Sequence, residues 1–198
     1  MTLSATRTQV VIASLLTMLL LAVSAVPAAG AELKRKGGAE DLTFRLVNCI
    51  RTGGYVTKAG TCKARGSGKY SRYVKPLKRS DKISNKVAWP WAKRSVQFYG
   101  TRTCWIGHSR NGSTVDKRFA SVGLKNSKNG ENMGCGMYSG SQVTAIRIIR
   151  MWQAEKAWRG PHWKYVKNAE FKSAGVGVAK LGLRKTQLVV DFYGRVVD

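Results

Sequence analysis

The sequence predicts an α+β domain in which helices pack on a small, mainly antiparallel sheet. Apolar residues at helical spacing recur through most of the chain, two strand-like runs close it, and no internal repeat of solenoid length is visible. Apolar content is ordinary and six tryptophans are present, so the large excess of Lys and Arg belongs on a folded body, not a disordered tail.

Residues 1–31 carry the marks of a cleavable signal peptide: Arg7 as a positive lead, an apolar run from Val10 to Val23, and small residues through Val26-Pro27-Ala28-Ala29-Gly30-Ala31, with cleavage expected after Ala31. That apolar run is shorter than the ~20 residues a spanning helix needs. No later stretch is longer, so no transmembrane segment is expected after cleavage. The mature remainder is one ordinary domain in length, and the protein is expected to be secreted.

Residues 32–40 read as a basic linker. Glu40 and Asp41 open a first helix with Leu42, Leu46, Cys49 and Ile50 at helical spacing, and Gly53-Gly54 stops it. Tyr55 to Lys75, rich in Gly, Ser, Lys and Tyr, reads as a long basic loop. From Asp81, the residues Ile83, Val87, Trp91, Ser95 and Phe98 follow a helical repeat that Pro90 must kink or restart, with Trp89 and Trp91 in the core. Val115 to Leu124 is a short helix for which Ser113-Thr114 supply a cap. Ser141 to about Lys156 is a stronger one, with Val143, Ile146, Ile149 and Trp152 on one stripe beside Arg147 and Arg150. Strands are expected at Ala174–Ala179 and Gln187–Tyr193, and residues 195–198 form a tail.

The net charge is +25, and the signal peptide holds only Arg7 among its charged residues, so the mature chain keeps +24. Such a field draws anionic partners: an envelope polymer, phospholipid headgroups or an acidic polysaccharide. The basic residues are scattered from Lys34 to Arg195 and match no zinc-finger, helix-turn-helix or RNA-binding pattern, which argues against specific nucleic-acid recognition. Four cysteines, Cys49, Cys62, Cys104 and Cys135, are an even number in an exported chain and suggest disulfides. Three pairings are possible; Cys49 with Cys62, which ties the end of the first helix to the following loop, heads the favoured one. A site of four thiolates on zinc is not expected, because no two cysteines have C-x2-C spacing.

Two histidines and five glutamates are all the chain has, and the surroundings of four of these residues carry a resemblance. Gly130 to Gly136 reads G-E-N-x-x-x-G, and Asn48-Cys49-Ile50-Arg51 reads N-x-x-R. A Gly/Ser turn and Arg118 follow His108, Trp152 and Glu155 form W-x-x-E, Gly160-Pro161-His162 leads out of that helix, and Gly175-Val176-Gly177-Val178 precedes the last strand. In this order, over residues 41–194, the motifs resemble the CAP superfamily, the SCP or pathogenesis-related-1 proteins, in its bacterial form. The resemblance implies an α-β-α sandwich and a central cavity lined by His108, Glu131, Glu155 and His162, able to hold Zn2+ or another divalent cation through imidazole and carboxylate donors. It also brings Cys104 and Cys135 onto two segments of one cavity, which favours their pairing.

Glu155 and His162 stand seven apart, but Gly160-Pro161 should end the helix between them, so their convergence rests on the resemblance. No G-x-S-x-G elbow or acidic triad partner is identifiable. The expected function is non-enzymatic: an extracellular binding module with a His/Glu-lined cleft. The alternatives are a cationic adhesion protein held on anionic envelope polymers and a secreted hydrolase.

Overall fold

A computed structural model describes residues 31–63 and 74–198. The signal peptide expectation, residue 31 apart, and the middle of the expected basic loop lie outside the described residues.

Three layers form around a five-stranded sheet. β6 (Ser173–Leu181) and β7 (Lys185–Tyr193) make an antiparallel hairpin, and β5 (Asn129–Met137) joins the outer side of β7 antiparallel. On the other side of β6 lie β1 (Leu33–Arg35), antiparallel, and the two-residue β4 (Lys78–Arg79), parallel. β5 is therefore a sheet edge. A separate small hairpin pairs β2 (Tyr55–Val56) with β3 (Cys62–Lys63).

Alternation along the strands sorts the two faces. Val176, Val178, Leu188, Val190 and Phe192 pack under α1 (Gly37–Arg51), α5 (Ser141–Ala154) and α6 (Pro161–Lys167), with Leu46, Ile50, Ile149 and Trp152 in the same core. Met133, Ala179 and Val189 face the opposite way, against Ala88, Trp91 and Val96 of the segment from Asp81 to Gln97. Gly175 and Gly177 on β6 bring that segment into backbone contact: a Cβ at Gly175 would sit 2.3 Å from the Ser84 nitrogen, and one at Gly177 would sit 2.5 Å from the Ala88 carbonyl.

The Asp81 segment begins with α2 (Asp81–Ile83), passes through a π-helical turn at Ser84–Ala88 and continues as α3 (Trp89–Gln97). The wide turn explains how Pro90 is tolerated. Trp89 N–H bonds back to Ser84 O, and Pro90, which has no N–H to give, follows directly as the second residue of α3, where the wide turn hands over to the α-helix. α4 (Val115–Ser121) is capped by the Thr114 hydroxyl, which accepts from Lys117 N–H.

Three expectations need correction. Residues 32–40 are not a linker: they contain β1 and the first turn of α1, and Lys36 N–H bonds Val178 O. Tyr55 to Lys75 opens with a hairpin instead of loop. Val143, placed on the buried stripe of α5, is 47% exposed; the buried face is Thr144, Ala145, Ile148, Ile149 and Trp152, one step round the helix. The segment from Gly130 to Gly136 is a nine-residue strand's interior, although glycines usually break strands. Here they are what lets α5 and α6 lie close: a Cβ at Gly134 would meet Ile148 and one at Gly130 would meet Tyr165.

Both disulfides take the favoured pairing, Cys49–Cys62 and Cys104–Cys135. The second fastens the long connection between α3 and α4 to the edge strand.

Candidate functional site

Two histidine–carboxylate pairs flank β5. Glu131 and Asn132 are consecutive on this strand, so their side chains leave opposite faces.

Glu131 is buried and divides its oxygens. His108 Nδ1 lies 2.8 Å from Oε1, and Arg118 Nη2 donates to Oε2 at 2.6 Å. Arg118, from α4, also donates to His108 O at 3.0 Å and rests its guanidinium 4.1 Å from the Trp91 ring centroid. One arginine thus holds both members of the first pair. Cys104–Cys135 anchors the His108 connection four residues before the ring and four after the glutamate.

On the other face, Asn132 donates to His162 O at 3.0 Å. His162 Nδ1 lies 2.5 Å from Glu155 Oε1, and the ring stacks on Trp152 at 5.4 Å and 11°. Glu155 Oε2 accepts the His162 and Trp163 backbone N–H groups at 2.9 and 3.2 Å. Those are among the first amides of α6, whose N-cap, Gly160, offers no side chain. Glu155 therefore does the work of a capping residue and places its charge at the positive end of the helix. Gly160 is required for this, since a Cβ there would stand 2.5 Å from Glu155 Oε2. Glu155 itself opens a 3-10 turn, Glu155–Trp158, and Arg159 at φ 55° reverses the chain into Pro161. The pair forms across a break between two helices, not along one helix face.

All four expected residues are thus assembled, as two pairs. The two glutamates orient imidazoles, and each has both oxygens engaged. A metal ion held by all four side chains does not fit this donor set: Glu131 would have to release the Arg118 cation and Glu155 the α6 amides. Among the described residues, no group of three or more His, Cys, Asp or Glu side chains is placed to hold a metal. With a carboxylate at each Nδ1, an imidazole in its neutral form carries its proton there and has its lone pair on Nε2. Neither Nε2 makes a hydrogen bond among the described residues.

Three further residues govern the site and are missing from the expected set. Arg118 is visible in the sequence as the arginine after the first histidine. Arg51, 1% exposed, donates Nε to Lys75 O, Nη1 to Val166 O and Asn168 O, and Nη2 to Phe171 O, between 2.7 and 2.9 Å. It thereby ties down the C-terminal end of α6, the helix that carries His162 in its first turn. Burial lowers the pKa of its guanidinium to about 10, still charged at neutral pH. Asp191, directly across from Glu131 in the sheet, is fully buried, and its carboxyl lies against the Glu131 carboxylate. Burial first, then the Glu131 carboxylate, pushes the Asp191 carboxyl well above the usual range, with Arg118 opposing in part. No sequence signal distinguishes Asp191 from a surface aspartate.

No family sequence model and no curated protein sequence matches the chain. Solved structures do. An extracellular protein containing an SCP domain from Bacillus anthracis aligns at TM-score 0.55 and 16% identity over 81% of this chain, which spans 41% of that protein's length. An outer surface protein of Borrelia burgdorferi aligns at TM-score 0.55 and 15% identity, covering 84% of this chain and 99% of its own. With the three layers, the mainly antiparallel sheet and the order of elements, these likenesses establish that the chain has a CAP/SCP-like fold.

Proposed function

We propose that this chain is a secreted, non-enzymatic binding module whose recognition surface is the pair of imidazoles flanking β5. The observation that carries the reading is the saturation of both carboxylates, which fixes each ring by its Nδ1 and leaves two oriented Nε2 acceptors. Groups held in place before a ligand arrives lose little freedom on binding. The ligand class such acceptors suit is one offering N–H or O–H donors, or a divalent cation taken singly at an imidazole nitrogen with water completing its shell. Among the described residues neither imidazole has a hydroxyl or thiol as hydrogen-bond partner, and Thr114 is occupied as a helix cap, which favours binding over hydrolysis. Two disulfides and the two structural neighbours, one extracellular and one an outer surface protein, support export.

Calorimetric titration of the chelator-treated protein with zinc tests the site. We expect heat of binding that the His108→Ala, His162→Ala double variant abolishes. Zinc binding that survives in that variant overturns the assignment.

A further inference from the structure

The charge of this chain is not spread evenly over its surface. No Asp or Glu occurs from residue 42 to residue 80 or from 132 to 154, and these two segments supply the β2–β3 hairpin and α5. Where they meet, Gly60 packs on Ile146, and a depression of about 530 Å³ opens with Val143 and Ile146 as an apolar floor and Lys58, Arg147 and Arg150 around it. It shares Val143 with a second depression of about 510 Å³, bordered by Arg35, Lys36 and Lys180. Among the described residues, neither has an acidic side chain in its wall.

The availability of these cations differs. Arg35 is committed to the buried Glu40, Lys180 donates to Ser139 O, and Arg147 lies 4.2 Å from the Tyr138 ring centroid. Lys58, Arg150 and Lys36 make no side-chain hydrogen bond or ion pair among the described residues. Elsewhere, exposed carboxylates sit against cations, as Asp41 does with Arg79 and Glu170 with Lys128. Holding unneutralised cations together around a recessed floor costs stability through mutual repulsion, and a linear anion lying in the trough relieves it.

We infer that this trough along the outer side of α5 binds a linear anionic polysaccharide, its carboxylate or sulfate groups meeting Lys58, Arg147 and Arg150 while sugar carbons lie on Val143 and Ile146. Single-stranded nucleic acid is the poorer fit, because binding it calls for open aromatic faces on which bases stack, and the face of Tyr138 is already taken by Arg147. A bilayer is also a poorer fit, since the apolar residues lie between cations instead of forming one projecting face. The trough is a different surface from the imidazole pairs and does not depend on them.

Fluorescence anisotropy of the mature chain with labelled heparin oligosaccharide and labelled oligogalacturonate at physiological salt tests the inference, the two probes separating sulfate from carboxylate recognition. The Lys58→Gln, Arg147→Gln, Arg150→Gln variant is expected to lose roughly tenfold or more in affinity for whichever glycan binds. A charge-matched control, Lys82→Gln, Lys86→Gln, Lys93→Gln, is expected to stay within about twofold, as is His108→Ala, His162→Ala. Equal losses in the two lysine/arginine triples would mean a diffuse field and overturn the site. So would failure of the parent protein to bind either glycan, loss of glycan binding in the histidine variant, or tighter binding to oligothymidylate or to phosphatidylglycerol vesicles.

Discussion

Replacing Arg51 with methionine keeps most of the side-chain length and removes the guanidinium. Four carbonyl oxygens, of Lys75, Val166, Asn168 and Phe171, then lose a cationic donor at once. Each hydrogen bond to a charged group contributes ~1.5–3 kcal/mol, and a buried acceptor left unpaired costs ~1–3 kcal/mol. Against this, the variant no longer desolvates a guanidinium, the same burial that lowers its pKa to about 10. Removing one partner from a buried ionic network typically costs ~3–5 kcal/mol, and because solvent can reach the rim at Lys75 we place Arg51→Met at about 3 kcal/mol. Urea unfolding followed by tryptophan fluorescence reads this directly, as a lowered midpoint with an unchanged slope. A loss below about 1 kcal/mol would refute the view that one buried cation gathers these strands of backbone. The same variant should weaken zinc binding, because α6 loses its C-terminal anchor while His162 sits at its start.

Two other substitutions probe the carboxylates. Glu155→Gln retains an acceptor for α6 but loses the charge at the helix start and the charged partner of His162, so we expect about 1–2 kcal/mol of destabilisation; a change in unfolding midpoint too small to resolve would contradict the capping role. Asp191→Asn is expected to stabilise, and increasingly so with pH. The unfolded aspartate ionises above ~3.9 while the folded one, raised by burial, holds its proton, so the parent protein loses up to ~1.4 kcal/mol per pH unit between the two values. Stability profiles of the two proteins should coincide near pH 3 and separate above it; parallel profiles would rule out a neutral Asp191.

The legible parts of this molecule are those whose signal is local. Val189 and Val190 in a β-branched run, Gly175 and Gly177 spaced by valines, and Thr114 ahead of an acidic first turn each specify their own element, and the β6–β7 hairpin and the α4 cap follow. The order of motifs carried the fold class and the four paired residues. β5 was illegible because glycines that suit close helix packing look, in sequence, like a turn. The stripe on α5 was off by one position because Val143 borders the charged trough and not the core. Arg51 and Asp191 were hidden for a different reason: a charge-rich chain gives no cue to which ions are internal, and three of the four carbonyls that Arg51 meets are 115 to 120 residues away.

The consecutive positions of Glu131 and Asn132 on an edge strand have a consequence for how this protein tolerates change. A slip of one residue in the pairing of β5 with β7 sends every side chain to the other face. Glu131 would leave Arg118 and His108, and Asn132 would leave the His162 carbonyl, in the same event. Sheet register and site assembly are thus a single variable. Lengthening or shortening the chain between Val122 and Lys128 is absorbed only if that register survives, and the Cys104–Cys135 bond, reaching the strand from outside the sheet, acts as the pin that indexes it.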